Sequence, residues 1–551
     1  MAVPSGVSPS SLIDSQLSRI LSFFLLICLS CGTSERADRV VQDDKLLRIA
    51  IPSDARTLDP AIAYDVVTWP LVRALYHGLV DYDDDLNLIP WQSQGWEVSS
   101  DGATISFEII PGIRFSNGRE VTAQDYVYSL TRVLNPATLS PGQGFFRNIV
   151  GAIDYQNGEA DHVAGLKAPS RYQFDVTLLR PDPTFLHILA MPFSYVVPRE
   201  EVISAGKDFA HNPVGSGAFV LSEWHRGSSL RFDRSPTYAW PERVRLDTFE
   251  IMVGGDGALH MMMFERGELD IANVTDTGIP DPDFVRIMRD PELRKYVESQ
   301  PLNATRYLSL NTEMPPFDNV LVRRAVNHAI NKDRLITLMS DRAVPAKSVL
   351  PPGMPGYNPD LLGYPYDPDR AQVLLAEAGY PQGFETELWI NAAENTETRQ
   401  AQSIQQDLAK VGVKVSIKAV TGATRIEAVG RRNTVPMAHF GWYQDYPDPS
   451  NFLDVLLNGT RITDVNSNNV AFYNNPLVND LLGKAAYEID NSVRLKLYQE
   501  AERIIVDDAP WVFLFHPNMY ILRQPWLRGL DLNPVWPIRY ERMWIDSGKE
   551  N

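Results

Sequence analysis

Residues 441–449 read Gly441-Trp442-Tyr443-Gln444-Asp445-Tyr446-Pro447-Asp448-Pro449, and the apolar residues Phe452, Leu453, Val455, Leu456 and Leu457 follow. Met437 to Gly441 has the character of a strand. Two prolines and two carboxylates directly after it forbid a central strand from continuing, so the stretch is a strand end that opens into a loop. A strand end that carries an Asp beside aromatic faces suits the capture of a cation, because the carboxylate supplies charge and the rings exclude water. The competing reading is a turn whose aspartates bond their own backbone and whose aromatics cap the core. The segment alone does not separate the two.

Working outward, a chain of 551 residues exceeds one ordinary core, and two or three lobes are expected. A hydrophobic fraction of 44% with 22% charged residues belongs to a globular protein whose body is water-soluble. The net charge of −18 repels phosphate backbones and argues against nucleic acid as a partner. Near the start, the apolar run Ile20 to Ser30 is too short for a stable bilayer anchor but has the length of a secretory core. It ends at Cys31-Gly32. The chain's 2 cysteines are Cys28 and Cys31, so the body that follows has no disulfide framework. Ser34 to Asp44 is polar and aperiodic, a tether.

From Leu46 the pattern becomes that of a fold. Leu46 to Pro52 reads as a buried strand, and Val66, Leu71, Ala74, Leu75 and Leu79 follow at helical spacing. An Asp101-Gly102 turn precedes Ile105, Phe107 and Ile109 at period two, which predicts a β-hairpin. Thr122 is placed to cap a helix bearing Tyr126, Val127, Leu130 and Val133. Beyond residue 370, strands alternate with helices over Thr398 to Lys410 and Val493 to Asp507, stopped by Gly412 and Pro510. Chemistry-bearing motifs are missing. Gly215-Ser216-Gly217 fits neither a nucleophile turn nor a phosphate loop, and reads as backbone punctuation. Asp81, Asp83 and Asp85 alternate like a calcium loop, but Leu86 stands where the loop needs glycine. The 9 histidines form no zinc motif. No catalytic set, metal site or cofactor site is expected.

Several motifs occur in a fixed order: Trp96 to Gly102; Gly112 to Phe115 with Asn117-Gly118; Thr122 to Tyr128; Asn212-Pro213-Val214-Gly215-Ser216-Gly217; Phe264-Glu265-Arg266-Gly267-Glu268-Leu269-Asp270; Pro316-Phe317-Asp318; Pro351-Pro352-Gly353; Leu374 to Tyr380; and Asp508-Ala509-Pro510. Together they resemble the large extracytoplasmic solute-binding proteins of peptide ABC transporters, the family 5 oligopeptide- and dipeptide-binding type, over residues 46 to 545. The resemblance implies an α/β, two-lobed periplasmic-binding-protein fold of type II, in the large three-domain variant, with a hinge and a ligand cleft between the lobes. It implies a discontinuous lobe I (46–80, 200–300 and 515–545), an inserted domain (81–199) and a lobe II (301–514). Residues 1–30 resemble a lipoprotein signal peptide, with Cys31 as the lipidated residue and 31–45 as the tether. An ordinary cleaved signal and an unstructured tail are the competing readings there.

The resemblance also implies a function: an ABC importer's binding protein, outside the cytoplasm, anchored to the membrane by lipid, monomeric, and delivering peptides to a permease. In the family, the aspartate of a Gly-Trp-x-x-Asp segment receives the peptide's α-ammonium. Here that is Asp445, with Gly441, Trp442 and Tyr443 leading into it. The arginine by which dipeptide binders hold the ligand carboxylate is replaced by Asn391-Ala392-Ala393-Glu394. Oligopeptide binders carry basic residues shortly before the Gly-Trp segment, and Arg431, Arg432 and His439 stand there, so a longer peptide is expected. For Arg431 and Arg432 a solvated charge pair is the alternative. Val420 to Arg425 lacks the tryptophan seen in some members. The same architecture also serves nickel, haem, opine and oligosaccharide ligands, and a secreted envelope peptidase using Asp445 and a histidine is the reading from another class.

Overall fold

The structure, a computed structural model, describes residues 45–272 and 279–546. Cys28, Cys31 and the expected leader lie outside the described residues. Three large sheets organise the chain. The first has four strands in the order Leu46–Ile51, Thr248–Val253, Ser229–Arg234 and Phe219–His225. Leu46–Ile51 pairs in parallel with Thr248–Val253, and the rest is antiparallel. Leu46–Ile51 is apolar at almost every position because both of its faces are covered: Leu47, Ile49 and Ile51 enter one cluster, and Ala50 enters another with Met261, Phe264 and Leu522.

The second sheet is antiparallel, in the order Ser93–Val98, Thr104–Ile109, Gln173–Thr177 and Leu166–Lys167. The alternation read in the sequence is visible here, with Ile105, Phe107 and Ile109 buried and Glu108 exposed. Tyr126, Leu130 and Val133 of the helix Ala123–Leu134 pack onto that face. The start of this helix is fixed by Asp125, whose carboxylate accepts from the Thr122 N–H (2.8 Å) and hydroxyl (2.9 Å).

The third sheet has eight strands and holds the link between the other parts. Its main path runs Ile271–Ala272, Trp511–Arg523, Ala304–Leu310, Met437–Tyr443, Glu385–Asn391 and Lys414–Val420. Trp511–Arg523 is 13 residues long and serves two neighbourhoods. Its first half pairs with Ala304–Leu310, where Tyr307 lies opposite Phe513, and its second half with Val297–Pro301, where Val297 lies opposite Leu522. The chain passes between the same two neighbourhoods again at Leu302 and Asn303. Helices Val320–Ala329 and Asn395–Lys410 cover one face of the sheet, and Asn491–Asp508 packs against the other. Gly412, with φ of +83°, ends one of these helices, and the left-handed Ala509 before Pro510 ends another.

A C-terminal strap closes the first and second sheets onto each other. Ile538, Tyr540 and Met543 pack with the first sheet, whereas Trp536 packs with the second. Arg73 lies buried between Asp81 (2.7 Å) and Glu541, so strap, helix and second sheet share one ion cluster. In the Gly-Ser-Gly segment, Gly217 lets two stretches of backbone approach closely: a Cβ there would stand 2.4 Å from the carbonyl oxygen of Ala74. Asp83 accepts from the N–H groups of Asp85 and Asn87, which makes residues 83–87 an exposed turn, whereas Asp81 is buried. Among the described residues, no group of three or more His, Cys, Asp or Glu is placed to hold a metal ion, and no helix is long and apolar enough to cross a membrane.

Candidate functional site

A cavity of about 250 Å³ lies where these parts meet. Its wall takes Tyr64 and Trp69 from the segment after the first strand, Leu302 and Asn303 from one chain crossing, and Met519 from the other. It is completed by Tyr443, Gln444 and Asp445 from the strand end and by the strap around Trp536. The strand Met437–Tyr443 runs two residues past Gly441, and the prolines then stop it. Tyr446 to Ser450 are buried, and Ser450–Leu457 forms a helix whose Phe452, Leu453, Leu456 and Leu457 enter the core. That anchored helix holds Asp445 in place. Asn451, fully buried, accepts from the Asp445 N–H (2.9 Å) and the Trp442 indole (3.0 Å), while its own amide donates to Asp445 Oδ2 (3.0 Å).

The other Asp445 oxygen, Oδ1, accepts from the Tyr64 hydroxyl (2.8 Å). No Lys, Arg or His pairs with Asp445 among the described residues. Burial therefore raises its carboxyl above the ordinary range, and the bonds from Asn451 and Tyr64 oppose that rise. The Tyr64 hydroxyl is pushed well up by burial and by Asp445, so it stays a donor. The rings beside it form a continuous wall: Tyr64 and Trp69 are 5.6 Å apart, and Trp69 and Trp536 6.3 Å. Trp536 is itself oriented, because its indole donates to Asp81 (2.8 Å) and the Arg73 guanidinium lies 5.6 Å from its ring. A carboxylate without a counter-ion beside aromatic faces is chemically a receiver of ammonium.

Of the residues singled out in the sequence, the structure brings Tyr443 and Asp445 to the cavity. Trp442 points to the opposite face of the strand, as alternation requires, and supports Asp445 through Asn451. Gly441 makes room for Arg306, since a Cβ there would stand 2.6 Å from Arg306 Cδ. His439 lies four residues, about 13 Å, back along the strand. It is buried beside Glu397 (3.6 Å) and Arg425, and burial, Arg306 and Arg425 hold its imidazole well below its usual range. Arg431 and Arg432 are outside the cavity wall: Arg431 pairs with Glu427 (3.1 Å), and Arg432 with Glu313 and Asp464 (3.0 Å each). Asp448 accepts from the Ser450 N–H (2.9 Å) and also receives both Arg494 Nη groups, at 2.7 and 2.6 Å. Tyr64, Trp69, Asn451 and Trp536 were not singled out from the sequence.

The model of the bacterial extracellular solute-binding proteins, family 5, matches residues 87–464. The chain belongs to this family. It is an extracytoplasmic solute-binding protein of the ABC-importer type, with the two-lobed periplasmic-binding-protein fold in its large form. Heme-binding protein A of Haemophilus influenzae is 30% identical over 488 residues, covering 84% of this chain and 85% of that protein. Glutathione-binding protein GsiB of Escherichia coli K12 is 29% identical over 498 residues, with 90% and 93% covered. Among solved structures, the periplasmic binding protein DppA of Helicobacter pylori, in complex with the peptide STSA, superimposes with a TM-score of 0.76 at 26% identity, covering 91% of this chain and 98% of that one. The clavulanic acid biosynthesis oligopeptide binding protein 2 gives a TM-score of 0.82 at 25% identity, with 91% and 95% covered. These relatives are binding proteins rather than enzymes.

Proposed function

We propose that this solute-binding protein captures peptides, oligopeptides in preference to dipeptides, and hands them to the permease of an ABC importer. One observation carries the reading: the Asp445 carboxylate, without a cationic partner among the described residues, on an aromatic cavity built from both sides of the chain crossings. An α-ammonium placed against it would satisfy the charge, with Tyr64 and Asn451 holding the carboxylate in position. The peptide-bound neighbour DppA supports a peptide ligand, whereas the haem- and glutathione-binding relatives keep other solutes in view. The residues Asn391 to Glu394 offer no arginine for a dipeptide carboxylate, which favours the longer ligand.

The same reading assigns the lobes. Lobe I would comprise residues 46–80, 200–300 and 515–545, the inserted domain 81–199 and lobe II 301–514, with the hinge at the two crossings. Ligand held by both lobes would stabilise the closed state. Cys31 would carry lipid and tether the protein to the outer face of the membrane.

Calorimetric titration tests the ammonium site. Asp445→Asn keeps shape but leaves a bound ammonium uncompensated, at a cost of about 2–5 kcal/mol, or roughly 30- to 5000-fold in affinity. Acetylating the peptide's amine should weaken wild-type binding comparably, and the two changes should not add, because each removes the same charge pair. Full additivity, or an Asn variant that binds as wild type does, would reduce Asp445 to a turn residue.

A further inference from the structure

We propose that the cavity discriminates by linkage, accepting the amino end of an α-linked peptide and rejecting a γ-glutamyl one. The inference rests on the reading that Asp445 receives the ligand's ammonium. In an α-linked peptide, the carbon that bears the ammonium also bears a neutral amide carbonyl. In a γ-glutamyl peptide such as glutathione, the same carbon bears a free carboxylate. A site that seats the ammonium of the second kind must therefore also seat an anion within a few ångströms of it.

The cavity has the wrong charges for that. The charged side chains among its described lining residues are Asp65 and Asp445, and no Arg, Lys or His joins them. The Asp65 carboxylate is committed to the start of the helix Thr68–Leu75, accepting from the N–H groups of Val67 (3.1 Å) and Thr68 (2.8 Å) and from the Thr68 hydroxyl (2.9 Å). Two arginines stand against lining residues without lining the cavity. Arg73 lies over Trp536 and is already matched by Asp81 and Glu541. Arg306 donates to the Tyr443 hydroxyl (3.0 Å), with its guanidinium 5.2 Å from that ring. A ligand carboxylate beside the ammonium would lose its water against Trp69 and Trp536 and would face Asp445, an anion. A desolvated charge without a partner is strongly disfavoured, and specificity arises as readily from such a repulsive element as from an attractive one. A glutathione-binding relative at 29% identity shares the fold, so the overall architecture does not decide this point. The side chains of the cavity do.

The test is a pair of isomers with identical atoms and identical charge: α-Glu-Ala-Gly and γ-Glu-Ala-Gly, titrated calorimetrically into the wild-type protein, with Phe-Ala-Gly as reference. The expected result is at least tenfold tighter binding of the α isomer. Asp445→Asn should narrow that ratio, because it weakens the attraction for both ammonium groups and removes the repulsion felt by one carboxylate. Equal affinities, or tighter binding of the γ isomer, overturn the inference. So does a loss of γ-isomer binding in Arg306→Met that leaves the α isomer unchanged, which would identify a partner for the carboxylate. In those cases Phe-Ala-Gly binding that still depends on Asp445 leaves the peptide reading standing. Failure of all three tripeptides to bind overturns both.

Discussion

Asp445 and Asp448 stand three residues apart in one loop and have opposite electrostatic fates. Asp448 is closed off: Arg494 grips both of its oxygens, and its carboxyl titrates below the ordinary range despite burial, because of the bonds and charge of that arginine. Asp445 is left open: two neutral groups hold it, and burial drives its carboxyl above the ordinary range. A completed ion pair closes off its charge, whereas an incomplete one leaves its charge available to a cation. The chain keeps the incomplete one where the cavity is, and the complete one behind it, under His187 and Tyr446.

The largest effect that should separate the two is on stability. Asp448→Asn strands a buried arginine, and urea unfolding at neutral pH should show a loss of about 3–5 kcal/mol. Because the folded carboxyl is depressed, this contribution is present above about pH 4 and fades as pH falls through the lower folded value, so the variant and wild type should converge in strong acid. A neutral-pH loss below about 1 kcal/mol would erase the contrast.

An intermediate effect concerns His187, whose ring stacks on Tyr446 at 6.3 Å while its Nδ1 meets the Tyr82 hydroxyl at 2.9 Å. Burial pushes the imidazole down to about 4, with Asp448 opposing and Arg494 assisting. The native state thus holds fewer protons than the unfolded chain between about pH 6.5 and 4, and stability is lost as pH falls through that window. The shift corresponds to about 3 kcal/mol. His187→Phe should flatten the pH dependence of unfolding by about one proton there, and an unchanged slope would place the ring in water. His77 and His516, also pushed down to about 4 by burial, should retain their share of the slope in that variant.

The smallest effect has the opposite sign. Asp445 in the ligand-free protein is a half-buried carboxylate with a raised folded value, so its contribution is most favourable below about pH 4 and is lost as pH rises through the folded value. Asp445→Asn should therefore slightly stabilise the ligand-free protein at neutral pH, with the gain vanishing in acid, while weakening peptide binding under the proposed function. Thermal unfolding across pH 3 to 8 measures this. A destabilised variant at neutral pH would mean that Asp445 is structural, like Asp448.

Much of this was legible from residue order. The hairpin around Asp101-Gly102, the capped start at Thr122 and the helix stops at Gly412 and Pro510 are local, since each depends on residues a few positions apart. The strand end at Asp445 was legible for the same reason, because prolines and aromatics directly after an apolar strand leave the chain few options. His439, Arg431 and Arg432 were placed by their nearness in sequence, but distance along the strand takes His439 elsewhere and surface ion pairing takes Arg431 and Arg432. What only the tertiary structure decided is which groups face Asp445 and Asp448. Tyr64 bonds Asp445 across 381 residues of sequence and Arg494 bonds Asp448 across 46, while Trp536 enters the cavity wall from the strap. Sequence set the local backbone and the presence of an aspartate at a strand end. Whether that aspartate would be matched or left open depended on long-range packing, which no local pattern encodes.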